Sequence, residues 1–392
     1  MPLALWALTI SAFAVGTTEF VIVGLIPTIA RDLGVSLPSA GLLVSLYALG
    51  VTIGAPVLTA LAGRMPRKRL LLALMALFVI GNGFAAVAPG YEALIAARFL
   101  TGLAHGVFFA IASTIATDLV DREKESSAIA LVFTGLTVAL VTGVPLGTWI
   151  GQSFGWQATF LGVVGLGLVG LIASAVLVPG NLRRPEPPSL RAQAQVLTSP
   201  RLLLVYAITA VGYGGNFIAF TFLAPMLTEI TGLGAGAVSI VILTYGASMA
   251  AGNILGGRLG DRIGPIRALT LIFVGLAALL ALLGLALPNP IAAVAVVALW
   301  GGFAFANVPP LQSYVVQIAR QEAPGAVDVA SGLNIGAFNL GIAAGAWAGG
   351  LVVDGMGLSA APFVGALVVA EGVALVRLSG LLDRRAQPFP AE

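Results

Sequence analysis

The chain has no cysteine, a single histidine and few charged residues, and each shortage argues against a class of chemistry. Without cysteine, neither a disulfide nor a thiolate nucleophile is available. One histidine is too few for the Cys/His clusters that hold zinc, so we expect no metal site. The sequence contains no G-x-x-x-x-G-K-S/T loop, which argues against ATP hydrolysis by a P-loop. We therefore expect a protein that is not an enzyme and that needs no cofactor.

Charge is scarce throughout the 392 residues, of which only 9% are charged and 59% are hydrophobic. Soluble domains carry about a quarter charged residues, so this composition indicates an integral membrane protein with the lipid bilayer as its surroundings. The net charge is +3, but the basic residues form short clusters between apolar runs. Such clusters report on membrane topology, and we expect no nucleic-acid partner.

Long apolar segments, separated by proline, glycine or charge, predict an all-α polytopic membrane protein. A hydrocarbon core of ~30 Å is crossed by ~20 helical residues, and every segment exceeds the ~18-residue threshold. The first segment is predicted as a membrane helix and not as a cleaved signal, because it lacks a basic start and is too long. The twelve predicted spans are 3–29, 39–62, 70–88, 92–117, 127–150, 157–179, 202–227, 236–257, 267–287, 291–318, 329–351 and 360–382.

The basic residues predict the orientation of these spans. If both termini lie in the cytoplasm, sixteen of the nineteen Lys and Arg residues fall in cytoplasmic segments. Arg31 is then in an outer loop, Arg98 lies inside a span, and Arg377 lies near the inner end of the last span. This distribution obeys the positive-inside rule. We expect a multi-pass protein of the bacterial inner membrane with both termini cytoplasmic.

An internal repeat relates the two halves of the chain. Residues 181–200 form a polar, Pro- and Arg-rich segment, which predicts a cytoplasmic linker between six-helix bundles at 1–180 and 201–392. Displacing the sequence by 198 positions aligns Pro27 with Pro225, Tyr47 with Tyr245, Gly54 with Gly252, Arg64 with Arg262, and Gly143, Gly147, Trp149 and Gly151 with Gly341, Gly345, Trp347 and Gly349. Two parallel repeats around a midplane site are typical of transporters.

Glu19 is the only charged residue between Met1 and Ala30, and it falls within the first span. A charged side chain there costs roughly 2.5–3.5 kcal/mol on insertion scales, so such residues usually bind protons or ligands. In the fourth span, Arg98 lies ~10 Å below the outer end and faces either a polar cavity, a carboxylate or, by snorkelling, the outer interface. His105 follows on the same helix face, as a proton relay or as a hydrogen-bonded packing residue.

Two motifs carry a resemblance to a known family. The stretch GGRLGDRIG resembles the loop signature of the major facilitator superfamily through Gly257, Asp261, Arg262 and Gly264. The glycines permit close helix packing and a tight turn, while Asp261 pairs with an arginine or caps a helix. Its first-half counterpart keeps Arg64 but has Gly63 and Pro66 in place of the Asp and the second Gly. The alternative is an ordinary basic loop.

The fifth span contains TGVPLGTWIG, which resembles the Gly/Pro element of drug–proton antiporters. The element is formed by Gly143, Pro145 and Gly147, with Val144 as an inserted residue. Small residues allow close backbone contact and proline kinks a helix, which suits a gate or a proton-tight contact. Generic glycine packing is the alternative.

Polar and aromatic residues in several spans predict a binding pocket. Small-molecule sites combine apolar walls with a few polar groups. The alternative is hydrogen bonding between helices, worth about 0.6 kcal/mol for each bond. The candidate substrate-binding residues are Tyr47, Tyr213, Asn216, Phe217, Phe220, Gln312, Asn334 and Asn339. Glu371, in the last span, is expected to pair with Arg377.

Taken over the whole chain, these features resemble the twelve-span drug–proton antiporters of the major facilitator superfamily. GTTEF at Gly16–Phe20 and GLAHGVFF at Gly102–Phe109 resemble the branch of arabinose-type efflux permeases and chloramphenicol-resistance exporters. The resemblance implies alternating access and proton-coupled export of a small neutral or amphipathic molecule by a monomer. We predict Glu19 as the proton carrier, with Arg98 and His105 as its neighbours. Sugar efflux and solute–proton symport by the same fold are the alternatives.

Overall fold

The computed structural model describes residues 2–62, 65–121, 125–180, 182 and 190–386. All regular secondary structure within these ranges is helical, and twelve helical segments are long and apolar enough to cross a membrane. The predicted fold class and the number of spans are confirmed.

The first six spans are formed by seven helices. The fifth span is interrupted by a π-helical turn, Ala139–Gly143, which directly precedes Pro145 in the first turn of the next helix. Because proline lacks a backbone N–H, the regular hydrogen-bond ladder is broken at this point. The helices are α1 (Leu3–Leu33), α2 (Leu37–Ala62), α3 (Arg67–Ala86), α4 (Tyr91–Asp118), α5 (Glu125–Val138), α6 (Val144–Phe154) and α7 (Trp156–Leu177).

The second half also forms six spans, after one additional helix, but its interruptions fall in the seventh and tenth spans. That helix, α8, lies inside the predicted linker and buries Val196 against α9 and α14, so part of the linker is ordered. The seventh span also ends in a π-helical turn, Met226–Ile230. The helices are α8 (Leu190–Thr198), α9 (Pro200–Phe220), α10 (Leu223–Pro225), α11 (Ala235–Ile263), α12 (Pro265–Ala286), α13 (Pro290–Ala306), α14 (Val308–Glu322), α15 (Val327–Met356) and α16 (Ala361–Ala386).

Glycines on corresponding helices of the two halves pack in the same way. In the first half, a Cβ on Gly143, Gly147 or Gly151 would lie 2.2–2.7 Å from side chains of α1, namely Thr17, Val21 and Leu25. In the second half, a Cβ on Gly341, Gly345 or Gly349 would lie 2.2–2.6 Å from backbone oxygens of α9, namely those of Ala210, Gly214 and Ile218. The sequence repeat is therefore also a repeat of helix packing.

Two pairs of helices supply most of the contact between the two halves, and α1 adds a smaller contact with α10. One pair is α2 with α15, where the hydroxyl of Thr52 donates to the carbonyl oxygen of Gly336 at 3.4 Å. The other is the fifth span with α11, where Ser239 donates to the side-chain oxygen of Gln152 at 3.1 Å. We call the end of the molecule where α3, α9 and α12 begin the basic end, because Arg67, Arg201 and Arg267 lie in their first turns. Gln152 and Ser239 lie toward the opposite end.

Candidate functional site

Arg98 is buried where α1, α2 and α4 meet, with only 1% of its surface exposed. Its Nη1 donates to the carbonyl oxygen of Thr18 at 2.8 Å, and its Nε and Nη2 donate to those of Leu43 and Glu19 at 3.4 Å. The guanidinium carbon lies 4.0 Å from the ring centre of Tyr47, in a cation–π arrangement. The side chain therefore does not snorkel to the outer interface, and its hydrogen bonds go to backbone carbonyls.

Glu19, His105 and Tyr47 form a buried row beside this arginine. The Tyr47 hydroxyl lies 2.9 Å from Nδ1 of His105, and the same nitrogen lies 4.0 Å from Oε2 of Glu19. The side chains of His105 and Glu19 are 8% and 10% exposed. The phenol and the imidazole are within hydrogen-bond distance, whereas the carboxyl group of Glu19 lies beyond it and must move closer to exchange a proton with His105.

Close packing of α2 against α4 brings these groups together. A Cβ on Gly102 would lie 2.2 Å from the carbonyl oxygen of Tyr47, and a Cβ on Gly50 or Gly54 would lie 2.5 Å from carbonyl oxygens of α4. Only glycine permits this approach, which sets the Tyr47 ring between the guanidinium of Arg98 and the imidazole two turns further along α4. These glycines thus position Glu19, Tyr47, Arg98 and His105, which we call the charged cluster.

Asn82 of α3 extends the polar network and was not predicted from the sequence. The hydroxyl of Thr18 donates to its side-chain oxygen at 2.7 Å, and its amide nitrogen donates to the carbonyl oxygen of Phe78 at 2.8 Å. The side chain is 1% exposed. The available signal was a lone amide in the apolar run LLLALMALFVIGNGFAA, because a buried amide in a membrane needs a partner.

An aromatic cluster lies next to the charged one and spans the two halves. Phe20, which follows Glu19 on α1, has its ring centre 6.4 Å from those of Phe217 and Phe305 in the second half. Of the predicted binding residues, the structure brings Tyr213, Phe217 and Phe220 into this cluster, together with Tyr245, Trp300, Phe305 and Phe338.

The aromatic cluster includes a few polar groups. Trp300 donates from its indole nitrogen to the side-chain oxygen of Asn216 at 2.7 Å, a contact that the sequence did not predict. The buried Tyr245 hydroxyl lies close to the same Asn216 side chain. Asn339 follows Phe338 on α15, and its buried side-chain oxygen has no hydrogen-bond partner within the described residues. Apolar walls with a few polar groups are the usual composition of a small-molecule site.

Gln312 and Asn334, by contrast, belong to a separate network in the second half. Asn334 accepts a hydrogen bond from Thr209 at 2.7 Å and donates to Gln312 at 2.9 Å, while Gln312 donates to Ser331. These bonds connect α9, α14 and α15. For these two residues, the contacts favour the alternative of hydrogen bonding between helices.

A family profile decides which proteins this architecture belongs with. The profile described as Major Facilitator Superfamily matches residues 8–346. The chain belongs to the Major Facilitator Superfamily. It is accordingly a multi-pass membrane transporter and not an enzyme.

Relatives of this facilitator cover nearly its whole length. It is 49% identical to the uncharacterized MFS-type transporter YtbD of Bacillus subtilis, over 97% of this chain and 96% of the relative. It is 41% identical to the inner membrane transport protein YdhP of Escherichia coli, over 96% and 95% of the two chains. It is 35% identical to a chloramphenicol resistance protein of Streptomyces lividans, over 93% and 96%.

A solved structure has the same fold. It is a bacterial homologue of the human lysosomal transporter Spinster, in an inward-facing and unoccupied conformation. The TM-score is 0.73 over 99% of this facilitator and 98% of that chain, at 17% sequence identity.

The loop motif of this facilitator, residues 257–264, makes the expected turn but not the expected helix contact or ion pair. Gly264 has a φ of 80° and makes the turn between α11 and α12, as predicted. The close helix contact is made by Gly256, where a Cβ would lie 1.9 Å from the carbonyl oxygen of Ala306, and not by Gly257, whose nearest neighbour would be 3.6 Å away. Asp261 lies exposed within α11 and, in the described part of the chain, neither pairs with an arginine nor caps a helix.

The other residues of this motif form no ion pair in the described structure either. Arg262 is also exposed, and Arg64 lies outside the described residues. The ion pairs at the basic end join different residues. They are Arg67 with Asp118, and Arg201 with Glu322 and Asp383.

The Gly/Pro element lies between the charged cluster and the second half. Gly143 and Gly147 pack on α1, while the π-helical turn contacts α11, where a Cβ on Gly246 would lie 2.3 Å from the carbonyl oxygen of Leu140. The fifth span thus touches both the helix that carries Glu19 and the opposite half. A gating role stays a prediction.

The expected pairing of Glu371 with Arg377 is wrong. Both side chains are exposed, and neither makes an ion pair within the described residues. Six positions along a helix correspond to a rotation of about 240°, so the two side chains leave α16 in different directions.

Proposed function

We propose that this facilitator is a proton-coupled antiporter that exports a small neutral or amphipathic molecule by alternating access. It works as a monomer in the bacterial inner membrane, with both termini in the cytoplasm. The observation that carries the proposal is the position of Phe20. This residue follows Glu19 on α1 and contacts Phe217 across the boundary between the two halves. A substrate among the aromatic rings therefore lies within one helical turn of the acidic group.

Glu19 is the proton carrier in this mechanism, and His105 and Tyr47 relay the proton. Arg98 cannot leave its position without breaking hydrogen bonds to α1 and α2, so it supplies a fixed positive charge beside the carboxyl group. Substrate binding displaces Phe20, changes the surroundings of Glu19 and favours release of its proton. An inward-moving proton supplies ~2.3 kcal/mol per 100 mV, which drives export of the substrate.

The aromatic cluster favours an uncharged substrate with apolar surface. The seven rings contributed by the second half carry no charge, and the polar groups among them are the Asn216 amide and the Tyr245 hydroxyl. Asn216 positions the indole of Trp300. Chloramphenicol is the first compound to test, because a relative at 35% identity is named a chloramphenicol resistance protein.

The decisive experiment measures radiolabelled chloramphenicol uptake into proteoliposomes with an acidic interior. Outward proton flow should accumulate the drug through the wild type. Glu19→Gln should lose this accumulation but retain drug–drug counterflow, which needs no net proton movement. Glu92→Gln is the matched control, because Glu92 is an exposed acid in the first turn of α4. Undiminished accumulation by Glu19→Gln would contradict the assignment.

The direction of the gradient distinguishes antiport from symport. An antiporter accumulates substrate in vesicles with an acidic interior, whereas a proton symporter accumulates it in vesicles with an alkaline interior. This result does not depend on how the protein is oriented in the vesicle. Accumulation with the alkaline interior would replace the proposed antiport with symport.

A further inference from the structure

A cavity at the basic end is distinct from the site between the two halves. It has a volume of about 840 Å³ and lies between α12, α14 and α16. Its walls include the basic side chains Arg267 and Arg377 and the apolar side chains Leu271 and Leu381. All four side chains are exposed, so the cavity opens to the surroundings of the protein.

The charge of this cavity is positive. Asp383 also lines it, but Arg201 donates to one of its carboxylate oxygens at 2.6 Å and Tyr314 donates to the other at 2.7 Å. Arg201, which also pairs with Glu322, therefore offsets the charge of Asp383 only in part. Arg267 and Arg377 make no ion pair and no hydrogen bond in the part of the chain that the structure describes. Two free guanidinium groups thus face the cavity against one partly neutralised carboxylate, which leaves a positive excess.

Arg377 lies near the inner end of the last span and has no acidic partner within the described residues. It precedes Asp383, where the last span ends, by six residues, which corresponds to ~9 Å along the helix. A cation at that depth is costly unless it reaches the interface or pairs with a negative group, and Glu371 does not pair with it. Gly380 brings this helix close to the first turn of α12, since a Cβ there would lie 2.9 Å from the side chain of Ile266. Arg377 and Arg267 consequently line one cavity.

The apolar walls suit a ligand that carries hydrocarbon tails. Leu271 is 57% exposed and lies one turn after Arg267 on α12, on the membrane side of that arginine. Leu381 is equally exposed but follows Arg377 toward the basic end, so it is the α12 wall that has charge and apolar surface in the order that a lipid leaflet imposes. The positive-inside distribution of Lys and Arg places this end of the protein at the inner leaflet.

We propose that this cavity binds an anionic phospholipid of the inner leaflet. Its phosphate lies between Arg267 and Arg377, and its acyl chains run past Leu271 toward the centre of the membrane. Basic pockets between membrane helices on the cytoplasmic side are suited to acidic headgroups. The site requires neither proton coupling nor a particular substrate, so it stands apart from the proposed transport function.

Native mass spectrometry of the full-length protein in detergent tests the proposal. The probes are dioleoyl phosphatidylglycerol, dioleoyl phosphatidylcholine with the same tails but no net charge, and glycerol 3-phosphate without tails. We expect phosphatidylglycerol to bind most tightly. Arg267→Gln and Arg377→Gln should each weaken it roughly fivefold, and the double variant roughly thirtyfold. Arg320→Gln is the matched control, because Arg320 is an exposed arginine of α14 outside the cavity.

Three results would overturn the proposal. They are unchanged phosphatidylglycerol binding by the double variant, equal binding of phosphatidylcholine, and equally tight binding of glycerol 3-phosphate. Arg377→Lys keeps the positive charge and should retain most of the affinity. It also separates loss of charge from loss of fold, which thermal unfolding of each variant checks independently.

Discussion

The hydroxyl of Tyr47 lies 2.9 Å from Nδ1 of His105, and the guanidinium of Arg98 lies over the ring of the same tyrosine. Tyr47 therefore contacts both the positive charge of Arg98 and the imidazole beside Glu19. The phenol holds the imidazole in one orientation, with its Nδ1 4.0 Å from the carboxyl group. Removing the hydroxyl alone separates the two roles of Tyr47.

We expect Tyr47→Phe to keep the fold and to impair proton coupling. The ring remains beneath Arg98, but His105 loses a hydrogen bond worth about 1 kcal/mol, equivalent to about a fivefold change in the pH-driven rate. The measurement is the ratio of pH-driven accumulation to counterflow in proteoliposomes. Tyr206→Phe is the control, since its hydroxyl is buried without a partner in the described structure and lies outside both the charged and the aromatic cluster. Equal ratios for both variants would contradict a relay through Tyr47.

Arg98→Lys should destabilise the protein despite keeping a positive charge. A lysine lacks the forked guanidinium that reaches α1 and α2 together, so the additional hydrogen bonds to carbonyl groups such as that of Leu43 are lost. A hydrogen bond to a charged group is worth about 1.5–3 kcal/mol. The measurement is thermal unfolding of the purified protein in detergent.

The control for this loss is Arg31→Lys. Arg31 is exposed and makes one long hydrogen bond within its own helix, so its replacement should change stability by about 0.5 kcal/mol or less. Similar unfolding temperatures for both variants would mean that the buried hydrogen bonds of Arg98 contribute little.

The length of the apolar segments and the constant displacement between the two halves made much of the fold predictable. Spans follow from uninterrupted hydrophobicity, and the glycines of the fifth and eleventh spans recur at one displacement because both halves pack in the same way. Glu19 was recognisable because a lone acid in an apolar run is costly. These signals are local or periodic, so one sequence contains them.

Contacts that depend on three-dimensional packing were not predictable in the same way. Neither the pairing of Trp300 with Asn216 nor that of Thr18 with Asn82 has a sequence signature, since each joins residues more than sixty positions apart. The motif around Asp261 suggested an ion pair, yet this side chain is exposed and forms no ion pair with the described residues. A charged residue in a motif does not by itself reveal which residue it pairs with.

Gly345→Ala should destabilise the second half by about 1–3 kcal/mol, because a new Cβ would lie 2.2 Å from the carbonyl oxygen of Gly214. That neighbour is backbone and cannot rotate away. Gly165→Ala is the control, as nothing lies within 4 Å of its Cβ position and alanine favours helix formation by up to about 1 kcal/mol. Thermal unfolding of both variants should show opposite shifts. A stable Gly345→Ala protein would mean that α9 and α15 can separate without loss.

The absence of cysteine makes the contact between Gln152 and Ser239 directly testable. This hydrogen bond joins α6 of the first half to α11 of the second, toward the end opposite the basic end. Alternating access requires the two halves to separate there at one stage of the cycle. We expect a protein carrying Gln152→Cys and Ser239→Cys to be cross-linked by a short bifunctional methanethiosulfonate, to stop transporting, and to recover on reduction.

The control pair is Gln152→Cys with Ile240→Cys. Ile240 is adjacent to Ser239 in the chain but is 64% exposed, since one residue rotates a helix position by about 100°. The reagent should therefore link this pair poorly and leave transport intact. If the first pair is linked in full and the protein still transports, the two helices stay together throughout the cycle. The halves would then have to separate elsewhere, and the contact of α2 with α15 would be the next one to cross-link.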